Sequence, residues 1–289
     1  MSKFRFSDLI VEIEAPEWVV HKNLLEFSCS NGDPDVRIQI IFEKLPRLPL
    51  DEAMLIVKTS GKSIYDIQGS VYSVCGYEYD IPSGIIAAKD RSFCTMYVDP
   101  EFSEPVDETI VHNVSDGIFC ALREVIVAVL ARKYGLIIHS STIVWNAKGV
   151  VFSAPSGTGK STHAHLWQQR YQTPILDGDA TACRIIEGIP VVYGLPWCGT
   201  SGEFMNQSAP LGAIVFLEQA EKNEIEKLNQ YEAFMRLAAR SFLLRWDVEA
   251  MDHSLNTVQE IVNNIDCYLL KCLPDYDAVE LVKKCLDQN

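Results

Sequence analysis

A glycine-rich segment near the middle of the chain constrains the fold more than any other feature. Residues 154–161 are Ala-Pro-Ser-Gly-Thr-Gly-Lys-Ser, which fits the Walker A pattern of a phosphate-binding loop with Ala at its first position. Residues 150–153 before it are typical of a strand, and residues 161–167 after it can open a helix. Such a helix directs the positive end of its dipole at bound phosphate. The sequence therefore predicts a phosphate-loop domain that binds a nucleoside triphosphate.

Each part of this loop has a chemical role. Gly157 and Gly159 allow the backbone to curl so that successive N–H groups point at phosphate oxygens. Lys160 supplies positive charge to the terminal phosphates, and the Ser161 hydroxyl can ligate Mg²⁺. We therefore expect ATP and Mg²⁺ as ligands. The predicted nucleotide-binding residues are Ser156, Gly157, Thr158, Gly159, Lys160, Ser161 and Thr162.

An acidic turn follows the loop. Asp177-Gly178-Asp179 comes after the apolar residues 174–176, which predict a short strand. Residues two apart on a strand share a face, so both carboxylates could point towards the loop. One would hold Mg²⁺ and the other could accept a proton from an incoming hydroxyl, and Asp179 is the stronger candidate. The alternative is a surface turn, since Asp-Gly-Asp is also good turn chemistry.

Three histidines lie near the loop in the sequence. His139 ends the apolar run 136–138 on the predicted strand before the one that leads into the loop, and it is a further catalytic candidate. A histidine at the end of an apolar run is more often a core residue, and that alternative stays open. His163 and His165 are two apart on the predicted helix and do not face each other, which argues against a shared metal.

The spacing of apolar residues changes near residue 105, from a strand-like to a helix-like pattern. Residues 1–105 predict short strands of an antiparallel, half-buried sheet without a cluster of polar residues. Apolar residues at spacings of three and four predict a helix over 107–134. We therefore expect an α+β or α/β fold, with a strand-rich accessory domain at 1–105 and a nucleotide-binding domain at 106–289. This second domain begins with the helix 107–134 and has a mixed central sheet with helices.

Further elements are predicted beyond the acidic turn. Strands are expected at 189–193, 213–218 and 267–271, and helices at 231–245, 255–265 and 275–286. Asp275 is a good N-cap candidate for the last helix.

Net charge and cysteine content restrict the partners and the cellular compartment that we expect for this protein. The net charge of −14 repels phosphate backbones, so nucleic acid is not expected as a partner. Nine cysteines without a C-x-x-C pair predict buried thiols in a reducing cytoplasm, and neither disulfides nor a zinc site. The start of the chain carries no secretory pattern and no apolar run reaches membrane-spanning length, so we expect a cytoplasmic protein without a membrane partner. Assembly into a homo-oligomer stays open.

Several of these residues together resemble a known family. Residues 156–161, the aspartates downstream and His139 upstream are similar to the catalytic domain of HPr kinase/phosphorylase, over roughly residues 130–285. The loop also resembles that of ATP-dependent phosphoenolpyruvate carboxykinase, which shares this core. A bacterial subgroup is similar over 155–163 and 196–202. The resemblance implies a transfer site formed by the catalytic residues Asp177, Asp179, His139 and Lys160.

Two weaker candidates remain, one from the resemblance and one from a predicted helix that carries three arginines. A glycine-rich loop of that family helps to build its site, and residues 199–202 with Glu203 occupy a similar place. Glu203 could be an extra acid or a surface residue. A phosphate-binding cation could come from Arg236, Arg240 or Arg245, with Arg240 preferred and a solvated charged face as the alternative.

The sequence also departs from that family. Gly178 splits aspartates that are adjacent in HPr kinase, and residues 1–105 do not match its regulatory domain. We expect a Mg-ATP-dependent kinase that acts on a hydroxyl, with a Ser or Thr of a peptide or small protein as the acceptor that the broad family implies. A small-molecule acceptor is one alternative. A non-catalytic ATP-binding sensor, or an accessory protein of peptide maturation, is the other.

Overall fold

The chain folds into two units, Met1–Val129 and Leu130–Asn289. A computed structural model describes residues 1–77 and 80–288. The division falls within a long helix, whereas the sequence pattern places a boundary between residues 105 and 106. Most of this helix belongs to the first unit because its residues contact that unit: Phe119 stacks on His21 with 4.0 Å between ring centroids, and Glu124 pairs with Lys62.

The first unit contains a mixed sheet, which has eight strands among the described residues. Its order is β1-β2-β3-β8-β7-β6-β5-β4, and β3 runs parallel to both β2 and β8, while the other pairs are antiparallel. The strands are β1 (Ser2–Phe6), β2 (Leu9–Glu14), β3 (Val36–Ile41), β4 (Ala53–Lys58), β5 (Lys62–Ile67), β6 (Ser70–Cys75), β7 (Gly84–Ala88) and β8 (Phe93–Tyr97). Short 3-10 helices lie at Glu17–Val19, Lys22–Phe27, Leu50–Glu52 and Pro100–Phe102.

The expectation of a wholly antiparallel sheet is therefore wrong at β3. Parallel neighbours need a long connection, and the segments before and after β3 supply one on each side. Residues 15–35 separate β2 from β3, and the antiparallel strands β4 to β7 lie between β3 and β8 in the sequence.

The predicted long helix is confirmed as α1 (Glu108–Arg132). Val114, Ile118, Leu122 and Ile126 recur every four residues and are all buried. Their spacing forms one apolar stripe, as expected for a helix that packs on a sheet. Among the described residues, no helix is long and apolar enough to span a membrane.

The second unit combines strands and helices. Its strands are β9 (Gly135–Trp145), β10 (Lys148–Ser153), β11 (Ile175–Asp177), β12 (Ala180–Ile186), β13 (Ile189–Tyr193), β14 (Ser208–Gln219), β15 (Glu224–Lys227) and β16 (Cys267–Cys272). Its helices are α2 (Lys160–Tyr171), α3 (Gln230–Arg240), α4 (Val248–Asn264) and α5 (Tyr276–Leu286).

Two long strands of this unit, β9 and β14, each change partners along their length. Residues 135–139 of β9 pair with β12, and residues 140–145 pair with β10. The start of β14 pairs with β13, and the rest lies parallel to β10 and β16. An antiparallel sheet, β9-β12-β13-β14, therefore shares both long strands with a mixed sheet, β11-β9-β10-β14-β16-β15. The change of partner in β9 falls at His139 and Ser140, beside the end of β10.

Alternating side chains of the central strands fill two cores. Val151 and Ile214 belong to a core with α3 and α4, whereas Phe152 and Val215 belong to a core with α2 and α5. A strand that is buried on both faces has a continuous apolar sequence instead of an alternating one. Residues 149–153 of β10 are all buried in this way, so β10 is held firmly where it leads into the phosphate loop.

The helix ends differ from prediction at two places. α3 ends at Arg240 and not at residue 245, because Ser241 pairs with Ile138 of β9 in an isolated bridge. α4 begins at Val248 and not at residue 255, where the Asp247 side chain accepts a hydrogen bond from Ala250 N at 3.0 Å and caps the helix. The predicted cap of α5 is confirmed, since Asp275 accepts a hydrogen bond from Ala278 N at 3.0 Å.

The nine cysteines are all thiols, but their burial varies. Four are buried, Cys120 is exposed and the rest are intermediate, so the expectation of buried thiols is correct for some of them only. The four buried residues are Cys94, Cys183, Cys198 and Cys267.

Candidate nucleotide site

The phosphate loop connects β10 to α2 with a strongly curled backbone. Gly157 and Gly159 have φ angles of 78° and 113°, which favour glycine. A Cβ atom at either position would meet no described atom within 4 Å, so the backbone conformation and not crowding requires glycine. The N-terminus of α2 has no side-chain cap from the described residues. Its N–H groups therefore suit a phosphate group.

Lys160 is buried inside this loop. Its side chain folds back so that Nζ donates to Ala154 O at 3.3 Å, and the residue is 7% exposed. Burial lowers the pKa of Lys160, the negative charge of Asp179 raises it, and the positive charge of Arg240 lowers it.

Arg240 is the last residue of α3. The chain after it pairs with β9, since Ser241 forms a bridge with Ile138 and Phe242 N donates to Ile137 O at 2.9 Å. The other two candidate arginines are engaged or exposed. Arg236 bonds Glu218 at 2.8 Å, and Arg245 is exposed. Of the three, Arg240 is the one whose positive charge lowers the pKa of Lys160.

Ser161 faces the acidic turn from the first turn of α2. Its Oγ lies 3.4 Å from Ser141 Oγ and 3.5 Å from Gly178 O. Ser141, a buried residue of β9, donates to Gly178 O at 2.9 Å. Sequence reasoning missed Ser141, although hydroxyl residues directly after the apolar run 136–138 were a signal. This hydroxyl ties the acidic turn to the strand beside the phosphate loop.

Asp177 is an internal anchor of that turn. It is fully buried, its Oδ1 accepts from Asp179 N and Ala180 N at 2.9 Å each, and its Oδ2 accepts from Leu195 N at 2.8 Å. Burial raises the pKa of Asp177 well above its usual range, and these three hydrogen bonds oppose the rise.

The expectation that both aspartates point towards the loop is therefore wrong. β11 ends at Asp177, so Asp179 belongs to the turn and does not share a strand face with it. With both oxygens held by backbone N–H groups, Asp177 is not accessible to a phosphoryl group. This geometry favours a structural role for Asp177 over the predicted catalytic one.

Asp179 and His139 come together at the edge of the site. His139 Nε2 lies 3.5 Å from Asp179 Oδ1, and the two side chains are 27% and 35% exposed. The backbone fixes this pair, since Ser140 N donates to Asp179 O at 3.0 Å and Ala180 pairs with His139 between β12 and β9. His139 is thus a partly exposed residue where β9 changes partners, and not a core histidine.

Steric crowding explains why a glycine stands between the two aspartates. A Cβ atom on Gly178 would lie 2.2 Å from Ser201 Oγ and 2.9 Å from Ser201 Cβ. The glycine-rich segment 199–203 therefore packs directly over the acidic turn. An aspartate in place of Gly178 would require this segment to move.

Of the remaining candidates, His163 lies in the core, whereas Glu203 and His165 form a partly exposed pair. His163 is 3% exposed and accepts a hydrogen bond from Trp167 Nε1 at 3.2 Å. Burial lowers the pKa of His163 to about 4, and Asp275 opposes the shift. Glu203 Oε2 lies 2.8 Å from His165 Nε2, so its carboxylate is engaged by that histidine.

The site offers two residues that could serve a metal ion. Ser161 and Asp179 were the predicted ligands, and Ser161 Oγ lies 3.5 Å from the backbone oxygen of Gly178, the neighbour of Asp179. Mg²⁺ in phosphate sites uses one or two protein ligands and takes phosphate oxygens and waters for the rest. Within 1–77 and 80–288, no group of three or more His, Cys, Asp or Glu could hold a metal alone. The residues present therefore fit a metal that arrives with a phosphate ligand.

Comparisons with known proteins matched one family model and a set of solved structures. The model of a family described as SynChlorMet cassette protein ScmC matches residues 111–282, more than half of the chain. A solved structure, the Hpr(Ser) kinase/phosphatase from Coxiella burnetii, is similar at 11% identity and a TM-score of 0.30, covering 53% of this chain and 94% of that chain. A TM-score this low carries no argument about function. No curated protein matches the sequence.

Proposed function

The chain belongs to the family described as SynChlorMet cassette protein ScmC, and we propose that it is a Mg-ATP-dependent kinase that transfers the γ-phosphoryl group to a hydroxyl. The proposed acceptor is a Ser or Thr of a peptide or small protein, with a small-molecule alcohol as the alternative. One observation carries the proposal: the acidic turn lies beside the phosphate loop, with Gly178 O 3.5 Å from Ser161 Oγ, and it presents the Asp179 carboxylate 3.5 Å from His139 Nε2.

The phosphate loop supplies binding and charge. The N–H groups of residues 157–161 would donate to phosphate oxygens, and Lys160 Nζ would exchange Ala154 O for a phosphate oxygen. Arg240 adds a second positive charge near the lysine. Bound Mg²⁺ would neutralise charge on the phosphate oxygens, and Ser161 is the residue that would hold it. Such preorganised charge stabilises a phosphoryl group in transfer.

Asp179 would accept the proton of the acceptor hydroxyl. From the sequence, we expected one carboxylate of the turn to hold the metal and the other to act as the base. Asp177 is fully buried, and its carboxylate accepts backbone hydrogen bonds. Both roles therefore fall on Asp179, and we assign it the base role because His139 Nε2 lies 3.5 Å from Oδ1 and can orient the carboxylate. Ser161 remains the protein ligand of the metal.

A non-catalytic ATP-binding sensor is the second candidate. It is favoured by the loss of one acid: of the two carboxylates in the described turn, Asp177 has no exposed surface. Such a protein would bind Mg-ATP and change shape without transfer.

The test combines calorimetry and phosphoryl transfer. We expect wild type to bind Mg-ATP and Lys160→Ala to bind about tenfold to a hundredfold more weakly, since it loses a charged hydrogen bond. With radiolabelled ATP and a library of peptides, we expect transfer by wild type. Asp179→Asn should bind Mg-ATP normally and transfer about 10²–10⁴-fold more slowly, because it lacks the base.

The outcomes separate the candidates. Normal transfer by Asp179→Asn would overturn the role of Asp179. Tight binding by wild type with neither transfer nor hydrolysis would support the sensor. Unchanged binding by Lys160→Ala would contradict the nucleotide site itself.

A further inference from the structure

The segment 198–203 lies directly against the Asp179 carboxylate. Gly199 has a φ angle of 57°, and a Cβ atom there would lie 2.8 Å from Asp179 Cγ and 2.9 Å from Asp179 Oδ2. The backbone of Gly199 is therefore in van der Waals contact with the carboxylate. Any outward movement of the segment would release Asp179 from this contact.

The same segment also bonds the backbone of the acidic turn. Gly178 N donates to Glu203 O at 3.0 Å, and just beyond the segment Met205 N donates at 3.0 Å to Leu176 O in the strand before the turn. Inside the segment, Ser201 Oγ donates to Cys198 O at 2.6 Å and accepts from Glu203 N at 3.2 Å. These two hydrogen bonds link the ends of the segment through Ser201.

One side-chain contact ties this segment to the phosphate loop. Glu203 Oε2 lies 2.8 Å from Nε2 of His165, a residue of α2. His165 follows Ser161 by four residues, so both lie on the same face of that helix. The pair therefore couples the segment over Asp179 to the helix that begins at the loop. The two side chains are 41% and 30% exposed, so they can be substituted without opening the core.

We propose that His165 and Glu203 are positioning residues that hold the segment 198–203 against Asp179. They act through the carboxylate and do not touch the reacting atoms, so the sequence-based idea of Glu203 as an extra catalytic acid is replaced by a positioning role. This inference rests on the proposed kinase function. Its structural part, that the pair holds the segment in place, is independent of it.

The test is a double-mutant cycle with His165→Ala, Glu203→Ala and the double variant. We expect each single variant to lower kcat about tenfold with unchanged Mg-ATP affinity, because a small displacement of a catalytic group lowers the rate. The double variant should be no slower than the single ones, since both remove the same contact. His165→Gln should recover most of kcat because its amide can still donate to Glu203. Gln168→Ala, an exposed change on the same helix, is the matched control.

Hydrogen exchange tests the positioning role even if the protein shows no kinase activity. The Gly178 amide bonds to Glu203 O, so its hydrogen exchange should be faster in His165→Ala and in Glu203→Ala, and unchanged in Gln168→Ala. If wild type transfers no phosphate, the kinase proposal fails and this exchange rate decides the positioning role alone. Unchanged exchange in both single variants would overturn the inference. Effects that multiply in the double variant, or a matching loss of Mg-ATP affinity, would overturn it as well.

Discussion

The acidic turn and the helix α2 each carry two titratable residues of one type, two positions apart, and in both pairs the first residue is buried. Asp177 is fully buried, whereas the Asp179 side chain is 35% exposed. His163 is 3% exposed, whereas the His165 side chain is 41% exposed. Within each pair, the two residues share a type but differ in environment: the first is a buried anchor and the second is accessible to solvent.

The geometry of the two elements differs, but the outcome is the same. On a helix, residues two apart point about 200° apart, so one histidine enters the core and the other faces the segment 198–203. At the acidic turn, the strand ends at the first aspartate, and the backbone folds around its carboxylate. In both cases, the first residue is enclosed by the protein and the second remains partly exposed to solvent.

The largest effect should come from the buried aspartate. Asp177→Ala removes the acceptor of three buried N–H groups, and we expect the free energy of unfolding to fall by roughly 3–5 kcal/mol. Asp179→Ala should change it by less than about 1 kcal/mol, because this side chain is partly exposed. Urea denaturation measures both. Similar losses in the two variants would break the comparison between anchor and accessible acid.

A smaller effect should follow from the pH dependence of stability. Burial lowers the pKa of His163 from 6.5 to about 4, so the unfolded chain binds a proton more readily between these values. Stability from this residue is complete above pH 6.5 and is lost as the pH falls to 4, by up to about 3 kcal/mol. Denaturation at several pH values should show a shallower slope in His163→Gln than in wild type. If His165→Gln changed the slope to the same extent, the contrast between the histidines would fail.

The smallest effect concerns the residue between the aspartates. Gly178→Ala places a methyl group 2.2 Å from Ser201 Oγ, and we expect a loss of about 1–3 kcal/mol as the segment shifts. Thermal or urea unfolding checks this value. Adding Ser201→Gly removes the two closest atoms, so the double variant should lose less than the sum of the single changes. If Gly178→Ala had the same free energy of unfolding as wild type, the segment 198–203 would not be closely packed on the turn.

Local patterns predicted the elements that surround the site. The order of apolar strand, glycine-rich loop and helix predicts β10 and α2, and the structure confirms both. β12 was missed, since residues 180–186 follow a turn signal and do not alternate. β15 was missed because Glu-Ile-Glu-Lys at an exposed edge has no apolar pattern. These errors share a cause, because such strands are stabilised by pairing with distant strands and not by their own sequence.

The sequence by itself determined the phosphate loop, with Lys160 and Ser161 at its end, and the candidate residues His139 and Asp179. These depend on residue type and on neighbours a few positions away, which a single sequence contains. Only the tertiary structure decided that Asp177 is a buried anchor, that the charge of Arg240 lowers the pKa of Lys160 and that His165 meets Glu203. Each of those facts depends on burial or on contact between segments far apart in the chain, such as Leu195 N on Asp177 Oδ2.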